Sequence, residues 1–192
     1  LVADHFSVGR CLFERGQEEA GSAHGTQLAE EGKDDSTRQM RACGGNGSAA
    51  DWPQYRGPNR DARSSERGLA RTWPAAGPKV LWRAPLGTGY SGMAVVGNHV
   101  VTMFGSEGKE YAGAFLADSG HQVWRFEMGD DFRNREGNGP RSTPTVEGGL
   151  AFVLGARSKL YALEVETGEL RWGLDLEKEY GAQVPEWGTS TS

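Results

Sequence analysis

Arg141 and Trp187 are the residues whose types and positions best fit the binding of a ligand. Arg141 stands just before a predicted strand, where its planar guanidinium can take a carboxylate or a phosphate. Trp187 stands in the same way just before the next predicted strand of this kind. Asn138 lies in the same loop as Arg141. The alternative for Arg141 is a structural pair with Glu136, Asp131 or a backbone carbonyl.

The loop "GDDFRNREGNGPR", residues 129–141, also contains carboxylate and amide side chains of the kind that bind calcium. They are Asp130, Asp131, Asn134, Glu136 and Asn138. Their spacing does not follow D-x-[DN]-x-[DN]-G, which favours a solvated acidic loop over a calcium site. We therefore predict no metal site here.

The other chemically versatile residues match no catalytic or metal-binding spacing. The sequence contains neither a nucleophile elbow nor the G-x-x-x-x-G-K-[ST] phosphate loop, and nothing in it nominates a catalytic base. Cys11 and Cys43 fit two incidental thiols, or a disulfide if the compartment is oxidising. The four histidines without metal-ligand spacing are His5, His24, His99 and His121.

Charge and composition exclude some classes of partner. The net charge is −5 and no stripe of lysine or arginine is present, which argues against nucleic acid. No apolar run approaches the about 20 residues that would span a bilayer. The 29 glycines in 192 residues indicate many turns between short strands.

Three regions follow one another along the chain. Residues 1–50 mix charges with small polar residues and are predicted to be disordered or weakly ordered. Residues 51–78 form an extended lead-in, and residues 79–192 contain short β-type runs separated by turns. The sequence starts with Leu1 and stops within a pattern, so we expect a fragment; no signal peptide is evident.

The β region contains a repeat. "AFLADSGHQVW" (114–124) and "ALEVETGELRW" (162–172) share one pattern, which predicts two four-stranded antiparallel blades at about 90–128 and 141–176. Trp82 is a further copy of the outermost strand alone.

Glycine and tryptophan hold fixed places within this repeat. Gly120 and Gly168 stand where a tight hairpin needs a left-handed residue. Trp124 and Trp172 each end the pattern with a large apolar face and one N–H group, which suits packing between adjacent blades. We expect these four residues, with Trp82, to be structural.

The pattern A-x-x-x-x-[ST]-G-x-x-x-W resembles the tryptophan-docking repeat of the pyrroloquinoline-quinone-like β-propellers. Quinoprotein dehydrogenases and the outer-membrane assembly lipoprotein share that fold. The lead-in "DWPQYRGPNRDARS" (51–64) is similar to a bacterial subgroup of secreted propellers. The resemblance implies an all-β, partial β-propeller from a ring of seven or eight blades, and a periplasmic or secreted location. Leu116 and Glu164 replace the aspartate that the repeat usually carries.

The longest connections between predicted blades fall on one face of the propeller, and they are 129–141 and 177–187. Long loops on a rigid scaffold are the usual seat of binding. We therefore expect a non-catalytic extracytoplasmic scaffold without a cofactor that binds a protein, a glycan or a small ligand through this face. The alternative is a fragment of a dehydrogenase that uses pyrroloquinoline quinone with calcium, although the neighbouring-cysteine disulfide of some such enzymes is absent.

Overall fold

The fold consists of two antiparallel sheets of four strands each. A computed structural model describes residues 51–67, 70–77, 80–135 and 137–191. The predicted all-β, partial β-propeller is confirmed, and each sheet is one blade. The predicted disordered segment 1–50, with both cysteines, lies outside the described residues.

In both blades the strands lie in chain order, so that every connection within a blade is a hairpin. The strands of the first blade are β1 Ala94–Val96, β2 His99–Ser106, β3 Lys109–Leu116 and β4 Gln122–Asp130. The strands of the second blade are β5 Thr145–Glu147, β6 Leu150–Leu154, β7 Lys159–Glu164 and β8 Leu170–Asp175.

The strand register makes the two blades equivalent at their tryptophans. Trp124 lies opposite Ala114 in the first blade, and Trp172 lies opposite Ala162 in the second. In both blades a bulge follows that alanine at once, and it re-aims the end of the outer strand.

The core lies between the two blades, because the inner-facing residues of both sheets are apolar and fully covered. This core is formed by Ala94, Val101, Met103, Ala112, Ala114, Trp124, Met128, Val146, Ala151, Val153, Leu163 and Val165. The first blade also buries its opposite face, where Val100, Phe104 and Phe115 pack with apolar residues from the segment before β1. In the second blade the outermost strand is open, and Leu170 is 50% exposed.

The lead-in joins the inner edges of both blades. Trp52 pairs with Val95 of β1 through two backbone hydrogen bonds of 2.7 and 2.8 Å. The next carbonyl, that of Pro53, accepts the N–H of Val146 in β5 at 2.8 Å. The lead-in is extended at this pairing and contains turns over residues 54–62.

One short helix, α1 Leu176–Tyr180, follows β8 where a loop was expected. The side chain of Asp175 accepts the backbone N–H of Lys178 and caps the first turn. Gly181 ends the helix in the left-handed conformation at φ +65°. Both capping residues are visible in the sequence "DLEKEYG", but five residues are too few for an apolar period to appear.

Candidate binding face

The two long connections, residues 129–141 and 176–191, lie together at one end of the blades, and we call this end the loop face. Asn134 donates its side-chain amide to the carbonyl of Glu186 at 2.7 Å, which joins the two connections. Each connection also forms a backbone hydrogen bond to the central hairpin turn of one blade. Asp131 N–H donates to Gly108 at 3.0 Å, and Thr189 N–H donates to Ala156 at 2.8 Å.

Arg141 lies inside the first connection and binds its backbone. The guanidinium donates to the carbonyls of Gly139 at 2.5 Å and Gly137 at 2.7 Å. It also stacks over the rings of Phe132 and Tyr90, at 4.9 and 5.5 Å from their centroids. This is the pairing with backbone carbonyls that the sequence left open as the alternative, and it makes Arg141 a support of the loop.

Asn138 and Trp187 take different roles in the same face. The side-chain oxygen of Asn138 accepts the N–H of Asn134 at 3.3 Å, which closes a turn within the first connection. Trp187 is 63% exposed. The adjacent Gly188 packs against Phe132, so the exposed ring stands beside the stack that Arg141 completes. Of the three predicted ligand-binding residues, Trp187 has the side chain most open to a partner.

The acidic residues of the first connection separate into a surface group and a buried group. Asp130 is exposed and binds Lys109 at 2.9 Å, which lowers the pKa of Asp130 below its usual range. Asp131 is buried, and burial raises the pKa of its carboxyl group. Glu136 lies outside the described residues. Within the described part of the chain, no three His, Cys, Asp or Glu residues are grouped as a metal ion would require.

Glu110 is a site residue that sequence reasoning missed. It follows the β2–β3 turn in "GKEY", where a carboxylate is normally solvated, yet it is 3% exposed. Its Oε2 accepts the N–H of Ala156 at 3.1 Å, and the N–H of Phe132 also donates to the carboxylate. Burial raises the pKa of Glu110 despite these bonds.

The repeat tryptophans lie at the other end of the blades and join them. Trp82 donates its indole N–H to Ala117 at 3.0 Å, and Trp124 donates to Val165 at 2.7 Å. Each ring lies directly on the hairpin glycine of the blade that follows. A Cβ at Gly168 would be 2.6 Å from the ring of Trp124.

Comparison with known proteins agrees with this geometry. Residues 108–187 match the PQQ_2 family model, which is described as outer membrane protein assembly factor BamB. This segment therefore carries the pyrroloquinoline-quinone-like propeller repeat, as the sequence pattern predicted. No curated protein matches the chain.

Two solved structures are similar to part of the chain. One is BamB from Moraxella catarrhalis, with a TM-score of 0.36, 18% identity, and coverage of 53% of this chain and 29% of that one. The other is the quinohemoprotein alcohol dehydrogenase ADHIIG from Pseudomonas putida HK5, with a TM-score of 0.28, 14% identity, and coverage of 45% and 20%. The chain thus spans less than a third of either protein.

Proposed function

We propose that this propeller segment is part of a non-catalytic extracytoplasmic scaffold that binds a protein partner through the loop face. The observation that carries the proposal is the exposed Trp187 ring on two connections that are tied to each other and to the blades. An exposed aromatic ring on a connection whose backbone is already held binds a partner at low entropic cost, because little backbone freedom is lost when the partner arrives.

The exposed residues on and beside the two connections favour a protein over a small ligand. Tyr90 is 59% exposed, Tyr180 is 72% exposed, and Arg133 presents a largely exposed guanidinium. Tryptophan, tyrosine and arginine are the residues in which binding energy at protein interfaces is concentrated. The family model is named for outer membrane protein assembly, which also supports a protein partner and a location outside the cytoplasm.

The quinone dehydrogenase alternative draws no support from the residues of this segment. The described residues contain no acidic or histidine group that suits a calcium ion, and the two cysteines of the sequence are not adjacent. The proposal therefore assigns no role to quinone or calcium.

The test is photo-crosslinking from position 187 of the protein in the cell envelope, with position 73 as the matched control. Trp73 is 50% exposed and belongs to the lead-in, outside both connections. We expect a discrete protein adduct from position 187 that position 73 does not give. Identical adducts from both positions, or none from position 187, would refute the proposal.

The cross-linked protein is then purified and its affinity for the chain is measured. Trp187→Ala should weaken binding at least tenfold, which is about 1.4 kcal/mol, because a buried interface tryptophan is removed. Trp73→Ala should leave the affinity unchanged. Equal affinities of the Trp187→Ala variant and the wild type would place the interface elsewhere.

A further inference from the structure

Two buried carboxyl groups lie below the loop face at the seam between the blades. Glu110 is 3% exposed and Asp131 is 9% exposed. Each has one buried oxygen, Oε1 of Glu110 and Oδ1 of Asp131, without a hydrogen-bond partner among the residues that the structure describes. The second oxygen of Glu110 accepts the N–H groups of Ala156 and Phe132. Glu110 therefore ties the first blade to the 129–141 connection and to the second blade.

The two unpaired oxygens lie on the same side of the first blade. Glu110 is directly opposite Gly105 in the β2–β3 register, and opposite residues point to one side of a sheet. Gly105 has no side chain, and Thr88 and Asp131 occupy the space above it: a Cβ at Gly105 would be 2.5 Å from Thr88 Oγ1 and 2.8 Å from Asp131 Oδ1. Repulsion between the two charges contributes to the raised pKa of Glu110, as expected for neighbouring carboxylates.

A shared proton satisfies both oxygens at once. An unpaired buried polar atom costs about 1–3 kcal/mol, and the cost is larger for a charged group. We propose that Glu110 and Asp131 hold one proton between them, on Oε1 of Glu110 and donated to Oδ1 of Asp131. Oε1 is the position of the proton because Oε2 already accepts backbone N–H groups. Loss of this proton leaves two unpaired, like-charged carboxylates on the same side of the first blade, and their repulsion loosens the 129–141 connection.

Charged groups surround the pair from both blades. Arg157 of the second blade donates to the backbone carbonyls of Asp130 and Asp131, and Arg133 lies 3.8 Å from Asp131 Oδ2. These cations favour the ionised acids, but burial opposes them and is the largest influence on the pKa of both carboxyls. The titratable or charged groups that face the pair from the packed elements are Arg133, Arg141, Arg157 and Tyr161.

The shared proton makes the loop face sensitive to pH. A carboxyl group whose pKa is raised by folding stabilises the fold while it is protonated, and this contribution is lost as the pH rises through the folded pKa. Repulsion between the two carboxylates then displaces Asp131 and loosens the 129–141 connection. An effect of pH on partner binding rests on the proposed function. The shared proton can be tested in the chain without any partner.

The test is a pH titration of the carboxyl carbon resonances of Glu110 and Asp131 by NMR, in the whole chain. One proton should remain on the pair at a pH where exposed carboxyl groups are ionised. In Glu110→Gln the amide donates to Asp131 at every pH, and in Asp131→Asn the amide donates to Glu110. The remaining carboxyl group should therefore titrate without the shared step in either variant.

Hydrogen exchange gives the second readout. After correction for intrinsic rates, the backbone N–H of Asp131, which donates to Gly108, should exchange faster in the wild type as the pair loses its proton, because repulsion then displaces Asp131. Glu110→Gln should abolish this rise, and Glu127→Gln, a change at an exposed glutamate, should retain it. Titration of both carboxyls with the exposed glutamates would overturn the proposal. Displacement of the proton by added calcium or magnesium would also overturn it and identify a cation site.

Discussion

Replacement of Gly168 by alanine tests whether tryptophan docking joins the blades. Gly168 has φ +73°, and an added Cβ would be 2.6 Å from the nearest ring atom of Trp124. Ordinary contacts begin at about 3.4 Å, so the ring must move by about 0.8 Å. That movement disturbs the 2.7 Å hydrogen bond from the indole to Val165 and the packing of a ring that is 8% exposed.

The size of the effect follows from two costs, one for the backbone and one for the displaced ring. A left-handed conformation at a residue other than glycine costs about 1–3 kcal/mol. Displacement of the ring adds about 1–3 kcal/mol for overpacking and about 1 kcal/mol for a strained or lost hydrogen bond. We therefore expect Gly168→Ala to lower the free energy of unfolding by about 3–7 kcal/mol.

A matched glycine separates the two costs. Gly149 has φ +79°, and a Cβ there would meet nothing within 4 Å. Gly149→Ala should therefore lower the free energy of unfolding by the backbone cost alone. Both variants are measured by urea denaturation of the whole chain. In a Trp124→Ala background, Gly168→Ala should cost no more than Gly149→Ala, because the ring is gone. Equal losses for the two glycines in the wild-type background would refute the docking argument.

Two further predictions concern side chains whose roles the structure separates. Arg141→Ala should lower the free energy of unfolding by about 2–4 kcal/mol, because two hydrogen bonds from a charged donor to backbone carbonyls are lost. Trp187→Ala should change it by less than about 0.5 kcal/mol, because the ring is exposed. Trp172→Ala should cost less than Trp124→Ala, whose buried ring is worth about 3–5 kcal/mol, because Trp172 is 40% exposed. Thermal and urea unfolding check both, and a stable Arg141→Ala variant or equal losses at the two tryptophans would contradict them.

The repeat is the part of the fold that sequence predicts well, because its signals are local. A hairpin glycine and an alternating apolar strand can each be recognised within about ten residues of sequence, and the second copy of the pattern supports the interpretation of the first. The two blades differ in the length of their central hairpin, since β2 and β3 form eight residue pairs and β6 and β7 form five.

The candidate site was predicted less well, because its contacts join residues that are distant in sequence. Arg141 looked like a ligand-binding cation, and only the path of the 129–141 connection shows that its donors reach the carbonyls of Gly137 and Gly139. Glu110 carries no local signal of burial. Its partner Ala156 is 46 residues away on the neighbouring blade.

The two ends of the blades are held together by different kinds of contact. At the hairpin end, the lead-in bonds to the inner strands through its backbone, and Asp51 accepts the N–H of Gly97 at 2.9 Å. Backbone bonds of this kind cover strand edges that would otherwise pair with other chains. At the loop face, the links include the side chains of Glu110, Asn134 and Arg141. Because the tryptophan links at the hairpin end are uncharged whereas the Glu110 link at the loop face is a carboxyl group, our proposals predict that a change in pH alters binding at the loop face while the tryptophans stay docked.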